Sequence, residues 1–212
     1  MTTGPTSEVI LHDYWRSSSA YRVRIALNLL GIAYSAIPVD LSAGAQRDPG
    51  HLALNPQGLV PVLQIDGLRL TQSLAILEYL DETRAAGFLP DTPADRARAR
   101  ALAQAIAMDI QPICNLRVAH HAVSLGQGAT MPGWMSHFIT LGFQGLEPML
   151  PQDTPFCHGD RPGLADLCFV PQVYNARRWG VDMTPFPRLT AISARLEALP
   201  PVAAAHPDRV KP

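Results

Sequence analysis

Asp66-Gly67 stands between two short apolar runs, Val62-Leu63-Gln64-Ile65 and Leu68-Arg69-Leu70. A pair that accepts positive φ between alternating segments is the strongest short-range signal for a β-hairpin. Upstream, Val9-Ile10-Leu11-His12 reads as a strand. Val23, Ala26, Leu27 and Leu30 then fall on one face of a helix from about Ser18 to Leu30. Gly31 occupies the place of a left-handed C-cap. Tyr34 to Val39 alternates as a second strand, and Ser42 to Asn55 reads as an irregular polar segment. After the hairpin, Leu74, Leu77 and Leu80 mark a helix from about Ser73 to Arg84. The order is β-α-β followed by β-β-α, which closes into a small mixed sheet covered by helices.

The thioredoxin fold has this order. The expectation is an α/β thioredoxin-like domain over 8–85 and a linker at 86–93, bearing Gly87, Pro90 and Pro93. An all-α domain at 94–200 and a loosely ordered, Pro-rich tail at 201–212 follow. In the helical part, Leu102, Ile106, Ile110 and Ile113 predict one long helix over Ala94–Ala122, kinked by Pro112. A Gly-rich break at Gly126 to Pro132 precedes a helix to about Leu150. Another helix begins near Gly163, and a last one carries Leu189, Ile192, Leu196 and Leu199.

Composition narrows the function. Of 212 residues, 47% are hydrophobic and 17% charged, so a packed core is easily supplied. A net charge of −1 gives nucleic acid no electrostatic reason to bind. No apolar run approaches the roughly 20 residues that span a bilayer, and no signal pattern opens the chain, so no membrane association is expected. Cys114, Cys157 and Cys168 are widely spaced and odd in number, which points away from disulfides and zinc and toward a reducing cytoplasm. The histidines show no metal-ligand spacing, and His120 and His121 read as surface or packing residues.

Chemistry concentrates in three places. Trp15-Arg16-Ser17-Ser18-Ser19 sets three hydroxyls and an arginine at a strand-to-helix turn, where free backbone N–H groups and a positive helix end would stabilise a thiolate. An ordinary serine cap is the alternative for that segment alone. Asn55-Pro56-Gln57-Gly58-Leu59-Val60-Pro61 leads into the third strand. If Val60–Pro61 is cis, the Val60 backbone faces outward to pair with an extended peptide. Gln72-Ser73 opens the next helix and suits either a carboxylate or simple capping. A γ-glutamyl tripeptide presents the matching groups: a thiol, a pair of amides and an α-carboxylate.

These stretches, with Gln72-Ser73-Leu74-Ala75-Ile76 and Gly163-Leu164-Ala165-Asp166-Leu167-Cys168, resemble the zeta class of glutathione transferases from about Val9 to His206. The Ser-rich turn running into Arg22-Val23-Arg24-Ile25-Ala26-Leu27 is the most specific part. The resemblance implies glutathione as cofactor and cis-trans isomerisation of a maleyl keto acid, maleylacetoacetate or maleylpyruvate, to its fumaryl form. It implies that Ser17 hydrogen-bonds the glutathione sulfur, with Ser18 and Ser19 beside it. Gln46, Val60, Gln72, Ser73, Gln111 and Asn115 match positions that hold the tripeptide or line its site. Arg16, Arg117 and Arg178 match positions that bind the carboxylates of a dicarboxylate substrate, Arg16 and Arg178 being counted with the catalytic residues. Each of the three, taken singly, reads more readily as a solvated arginine. A homodimer is expected on the same ground.

The sequence departs from the family pattern twice. The third residue of the family's Ser-Ser-Cys is Ser19 here, which removes any redox role for that position. Gly163 replaces a capping Ser or Thr, so the following helix is expected to be slightly weaker, with Gly163→Thr not lowering stability. Two other function classes stay open: a glutathione transferase that conjugates or dehalogenates small α-halo acids, and a non-catalytic member that uses the fold only for binding.

Overall fold

The computed structural model describes residues 8–212, which divide into two compact units. The first takes in the chain up to Ala86 together with Pro201–Pro212, and the second is Gly87–Pro200.

In the first unit, β1 (Ile10–Asp13), β2 (Ser35–Pro38), β3 (Val62–Ile65) and β4 (Leu68–Thr71) form one sheet in the order β2-β1-β3-β4. β1 pairs parallel with β2, placing Leu11 opposite Ala36, and antiparallel with β3, placing Leu11 opposite Leu63. The β3–β4 hairpin turns at Asp66 (φ 55) and Gly67 (φ 75), the positive φ pair that this turn requires. Two helices, α1 (Ser18–Leu29) and α3 (Ser73–Arg84), pack against each other. Helix α1 is buried without a break from Ala20 to Leu27, so the one-faced periodicity of its sequence understates its burial. The segment read as irregular contains a 3-10 turn at Ala45–Arg47 and a short helix, α2 (Pro49–Leu54). Neither is long enough for a period to show in the sequence.

The second unit is helical. The expected single kinked helix is instead segmented: α4 (Pro93–Gln104) runs into a π-helical stretch at Ala105–Ile110, then α5 (Gln111–Ile113) and α6 (Leu116–Ser124). Pro112 has no N–H to donate back into the preceding turn, and the ladder just upstream of it is the wider one. The true break is at Asn115, whose side chain caps α6. Helix α7 (Met131–Leu146) closes tightly on the π-helical stretch; a Cβ on Gly142 would stand 2.3 Å from Ile110 Cγ1. Helix α8 (Leu164–Arg178) is the core element, buried continuously from Leu164 to Val173 and packed on α4 and α9 (Pro187–Glu197).

Of the connections, the expected linker carries buried residues, and the expectation of a loosely ordered tail is corrected. The linker is structured: Phe88 and Leu89 are buried, and Thr92 caps α4 by accepting from the Asp95 N–H at 3.2 Å, with Pro93 in the first turn. The tail is ordered as α10 (Pro200–Ala204) and α11 (Pro207–Val210). Val202 and Ala205 are buried, and the Pro201 and Ala205 carbonyls accept from Asn28 Nδ2 and Arg24 Nε of α1 at 3.0 and 3.1 Å. Proline here starts helices rather than loosening the chain.

Candidate active site

Ser17 is the N-cap of α1, and its Oγ accepts from the Ala20 N–H at 3.2 Å. The hydroxyl proton is therefore directed away from the helix. No acidic residue occupies the first turn to offset the positive helix end. Ser18 and Ser19 are the first two helical residues, both half-buried. The preceding turn is held by Arg24: its Nη1 donates to Asp13 Oδ1 and Oδ2 at 2.7 and 2.6 Å, and its Nη2 to the Trp15 carbonyl at 2.9 Å. With its Nε on the Ala205 carbonyl, Arg24 ties β1, the Ser turn and the C-terminal segment together. Burial pushes the Asp13 carboxyl up, against the pull of the Arg24 guanidinium.

Arg16 lies with its guanidinium carbon 4.2 Å from the Trp15 ring centroid, and Lys211 Nζ is 5.4 Å from the same centroid. Arg16 Nε is buried and has no hydrogen-bond acceptor among the described residues. Both Trp15 and Arg16 line a cavity of about 390 Å³, with Asp13, Tyr34, Val39 and Asp40 and with Val210 and Pro212 of the tail; Ser17, Gln46, Val60, Gln72 and Ser73 lie outside its lining. A buried cation donor at a cavity wall, lacking an acceptor, is a place for an anion.

The other elements of the same unit carry four further peptide-binding candidates, Gln46, Val60, Gln72 and Ser73. The Val60–Pro61 peptide is cis, the condition set by the sequence reading. Asn55 shapes this loop: its Oδ1 accepts from the Gln57 N–H at 3.1 Å, and its Nδ2 donates to the Leu59 carbonyl at 2.9 Å. His51 Nε2 lies 2.9 Å from that same carbonyl. Gln72 is the N-cap of α3 at φ 65, a conformation uncommon for a residue with a side chain, and its Nε2 donates to Gln57 Oε1 at 2.9 Å. Ser73 Oγ accepts from Arg22 Nη1 at 3.1 Å. The Gln72 side chain does not cap the α3 amides. Gln46 Oε1, on the 3-10 turn, is buried without a hydrogen-bond donor among the described residues. A γ-glutamyl tripeptide carries groups of matching chemistry for this set: an amide N–H, an α-carboxylate and a thiol.

In the helical unit, Gln111 is half-buried at the start of α5. Asn115 has a structural duty that the sequence reading missed, since its Oδ1 caps α6 by accepting from the Arg117 N–H at 3.0 Å. Arg117 is exposed on the first turn of α6. Arg178 is exposed on the last turn of α8, with its guanidinium carbon 4.6 Å from the Trp179 ring centroid. The structure thus gathers Arg16, Ser17, Ser18, Ser19, Gln46, Val60, Gln72 and Ser73 on one unit and Gln111, Asn115, Arg117 and Arg178 on the other.

Residues 7–82 match the glutathione S-transferase N-terminal domain family. The maleylacetoacetate isomerase of Rhizobium meliloti (strain 1021) is 59% identical over 211 residues, covering 97% of this chain and 99% of the relative. A solved holo structure of maleyl pyruvate isomerase, a bacterial zeta-class glutathione S-transferase, superposes with a TM-score of 0.90 at 37% identity, covering 95% of this chain and 98% of that one. The chain belongs to the zeta class of the glutathione transferases. A third relative is the maleylacetoacetate isomerase of Anaeromyxobacter dehalogenans 2CP-1, solved with dicarboxyethyl glutathione and citrate in its active site. It has a TM-score of 0.85 and 41% identity, covering 96% of this chain and 93% of that one.

The sequence reading marked Ser19 and Gly163 as departures from the family pattern. The expected effect of Gly163 is reversed by the structure. A Cβ there would stand 2.9 Å from the Phe88 carbonyl oxygen, which already accepts from the Leu164 N–H at 2.8 Å. Asp166 Oδ2 accepts from the Gly163 N–H at 2.9 Å and Oδ1 from the Cys157 N–H at 3.0 Å. The cap is therefore made by the carboxylate and the Phe88 carbonyl, and the glycine is there for space. Sequence reasoning also passed over Arg22, Arg24, His51 and Asn55. The signal was present in Arg22-Val23-Arg24: two arginines inside an otherwise apolar helix are there to be paired.

Proposed function

We propose that the chain is a glutathione-dependent cis-trans isomerase that converts a maleyl keto acid, maleylacetoacetate or maleylpyruvate, to its fumaryl form. The observation that carries this reading is the juxtaposition in one turn of Ser17, a hydroxyl at the positive end of α1, and Arg16, a cation whose buried Nε has no acceptor among the described residues. The names of the relatives support the substrate class, as does the dicarboxyethyl group that one of them holds on glutathione.

Glutathione, when bound, supplies a thiol nucleophile that is returned unchanged at the end of the cycle. A free thiol has a pKa near 8.5, so little is ionised at neutral pH. Ser17 donates its hydroxyl proton to the sulfur, and the α1 end adds a positive potential, both favouring the thiolate. Gln46, Val60, Gln72 and Ser73 hold the peptide, with Ser18 and Ser19 flanking Ser17. Arg16 binds a substrate carboxylate and stabilises the negative charge that develops on the keto acid as its double bond becomes single. The bond then rotates before it re-forms as trans. On the resemblance, the helical unit contributes Arg117 and Arg178 for the carboxylates and Gln111 and Asn115 for the tripeptide. Arg16 and Arg178 act in the reaction as well as in binding.

The three cysteines are free and buried, as suits a reducing cytoplasm. No helix among the described residues is long and apolar enough to cross a membrane. The working form in this reading is a homodimer, checked by light scattering, where a mass of one chain would contradict it. The function itself is tested by following maleylpyruvate absorbance with the purified chain. Isomerisation should appear only when glutathione is added; isomerisation without it would overturn the reading.

A further inference from the structure

Arg22 is a cation on a helix buried along most of its length, and only 1% of its own surface is exposed. Its Nη1 donates to Ser73 Oγ at 3.1 Å. Ser73, 5% exposed, is the first residue of α3, whose N-cap residue Gln72 makes no side-chain cap. A hydroxyl that accepts from a guanidinium must send its own proton elsewhere, and the charge on the donor makes that proton a stronger donor. We infer that Arg22 is a positioning residue for the α-carboxylate of the bound peptide, acting through Ser73 Oγ. Arg22 then sets how strongly the chain prefers a peptide that carries this carboxylate. The inference rests on the glutathione reading of the first unit.

The geometry makes the effect both directional and electrostatic. With Arg22 fixed behind it, Ser73 has one free proton, and that proton points away from α1. A carboxylate accepting it would lie at most about 6 Å from the buried guanidinium, close enough for an attraction that solvent screens poorly. A lysine at 22 keeps a charge but presents it as a single point on a flexible stem, without the planar fork.

The test is a binding comparison by calorimetry. Glutathione is set against 4-aminobutyryl-cysteinyl-glycine, which lacks only the α-carboxylate. The unaltered chain should prefer glutathione by roughly 10- to 100-fold, as expected for a charge-assisted contact. In Arg22→Met that preference should fall about tenfold, while affinity for the decarboxylated peptide is kept. Arg22→Lys should recover part of it. An equal loss for both peptides would mean that Arg22 only supports the fold, and an unchanged preference would overturn the inference outright. Should Arg22→Met fail to fold, Arg22→Lys decides alone: a reduced preference supports the inference and an unchanged one ends it. If the unaltered chain binds neither peptide, the glutathione reading fails and takes the inference with it.

Discussion

Ser17 caps α1, and substitutions can separate that duty from the second role proposed for it. Its Oγ caps α1 through the Ala20 N–H, and its proton is assigned to the glutathione sulfur. Ser17→Ala removes both and should lose about 0.5–2 kcal/mol of stability together with roughly 10²–10³ in kcat/KM. Ser17→Gly keeps most of the cap preference, losing only a few tenths of a kcal/mol, yet should lose as much activity. Thermal melts and kinetics on the pair check this; a glycine variant with full activity would show that the hydroxyl serves the helix alone. At this scale the sequence was legible wherever a side chain sits at a chain turn, as with Ser17, Val60 and Gln72. It was not legible where a buried residue acts on another far along the chain. Arg24 reaches from α1 to Asp13, the Trp15 carbonyl and the Ala205 carbonyl, and no local pattern announces such pairings.

Among the elements, the hairpin and α8 yield the clearest predictions. The hairpin turn is tied to α3 by Asp66, which accepts from Tyr79 Oη at 2.6 Å and pairs with Arg84 Nη2 at 2.6 Å. The hydrogen bonds from Tyr79 and Arg84 lower the Asp66 pKa in the folded chain. A carboxylate depressed in this way contributes stability above its ordinary value near 3.9, and the contribution is lost as pH falls through the folded value. Asp66→Asn tolerates the same positive φ, so it isolates the charge. At pH 7 it should destabilise by about 0.2–1 kcal/mol, a small effect because both partners are about one-third exposed. The difference should vanish in acid below the folded value; urea melts at the two pH values would contradict this if the gap widened in acid. For α8, Gly163→Thr should destabilise by about 1–3 kcal/mol, since its Cβ meets the Phe88 carbonyl, despite the better capping residue. A raised melting temperature would return the glycine to the role of a weak cap. The hairpin was plain from Asp66-Gly67, and α3 was readable to its ends. The glycine's purpose was hidden, because it depends on Phe88, a residue that the sequence assigned to a linker.

For the molecule as a whole, the change from alternating to helical periodicity near residue 85 was enough to see a mixed sheet followed by helices. The fate of the last twelve residues was not, because proline richness signals a loose tail and a run of short helices equally well. Those residues belong to the first unit, where Val202 and Ala205 are buried and the Ala205 carbonyl accepts from Arg24. Removing 201–212 should therefore destabilise the sheet-containing unit by several kcal/mol and weaken glutathione binding with it. Denaturant melts of the truncated chain that match those of the full chain would contradict this account. The central claim, that the thiol is returned rather than consumed, is tested most directly by counting thiols. Maleylpyruvate is supplied in large excess over glutathione, and free thiol is titrated before and after the reaction. Complete conversion to the fumaryl acid with all glutathione thiol recovered is the predicted result. Thiol lost one for one with substrate, with no fumaryl product, would make the chain a conjugating transferase instead.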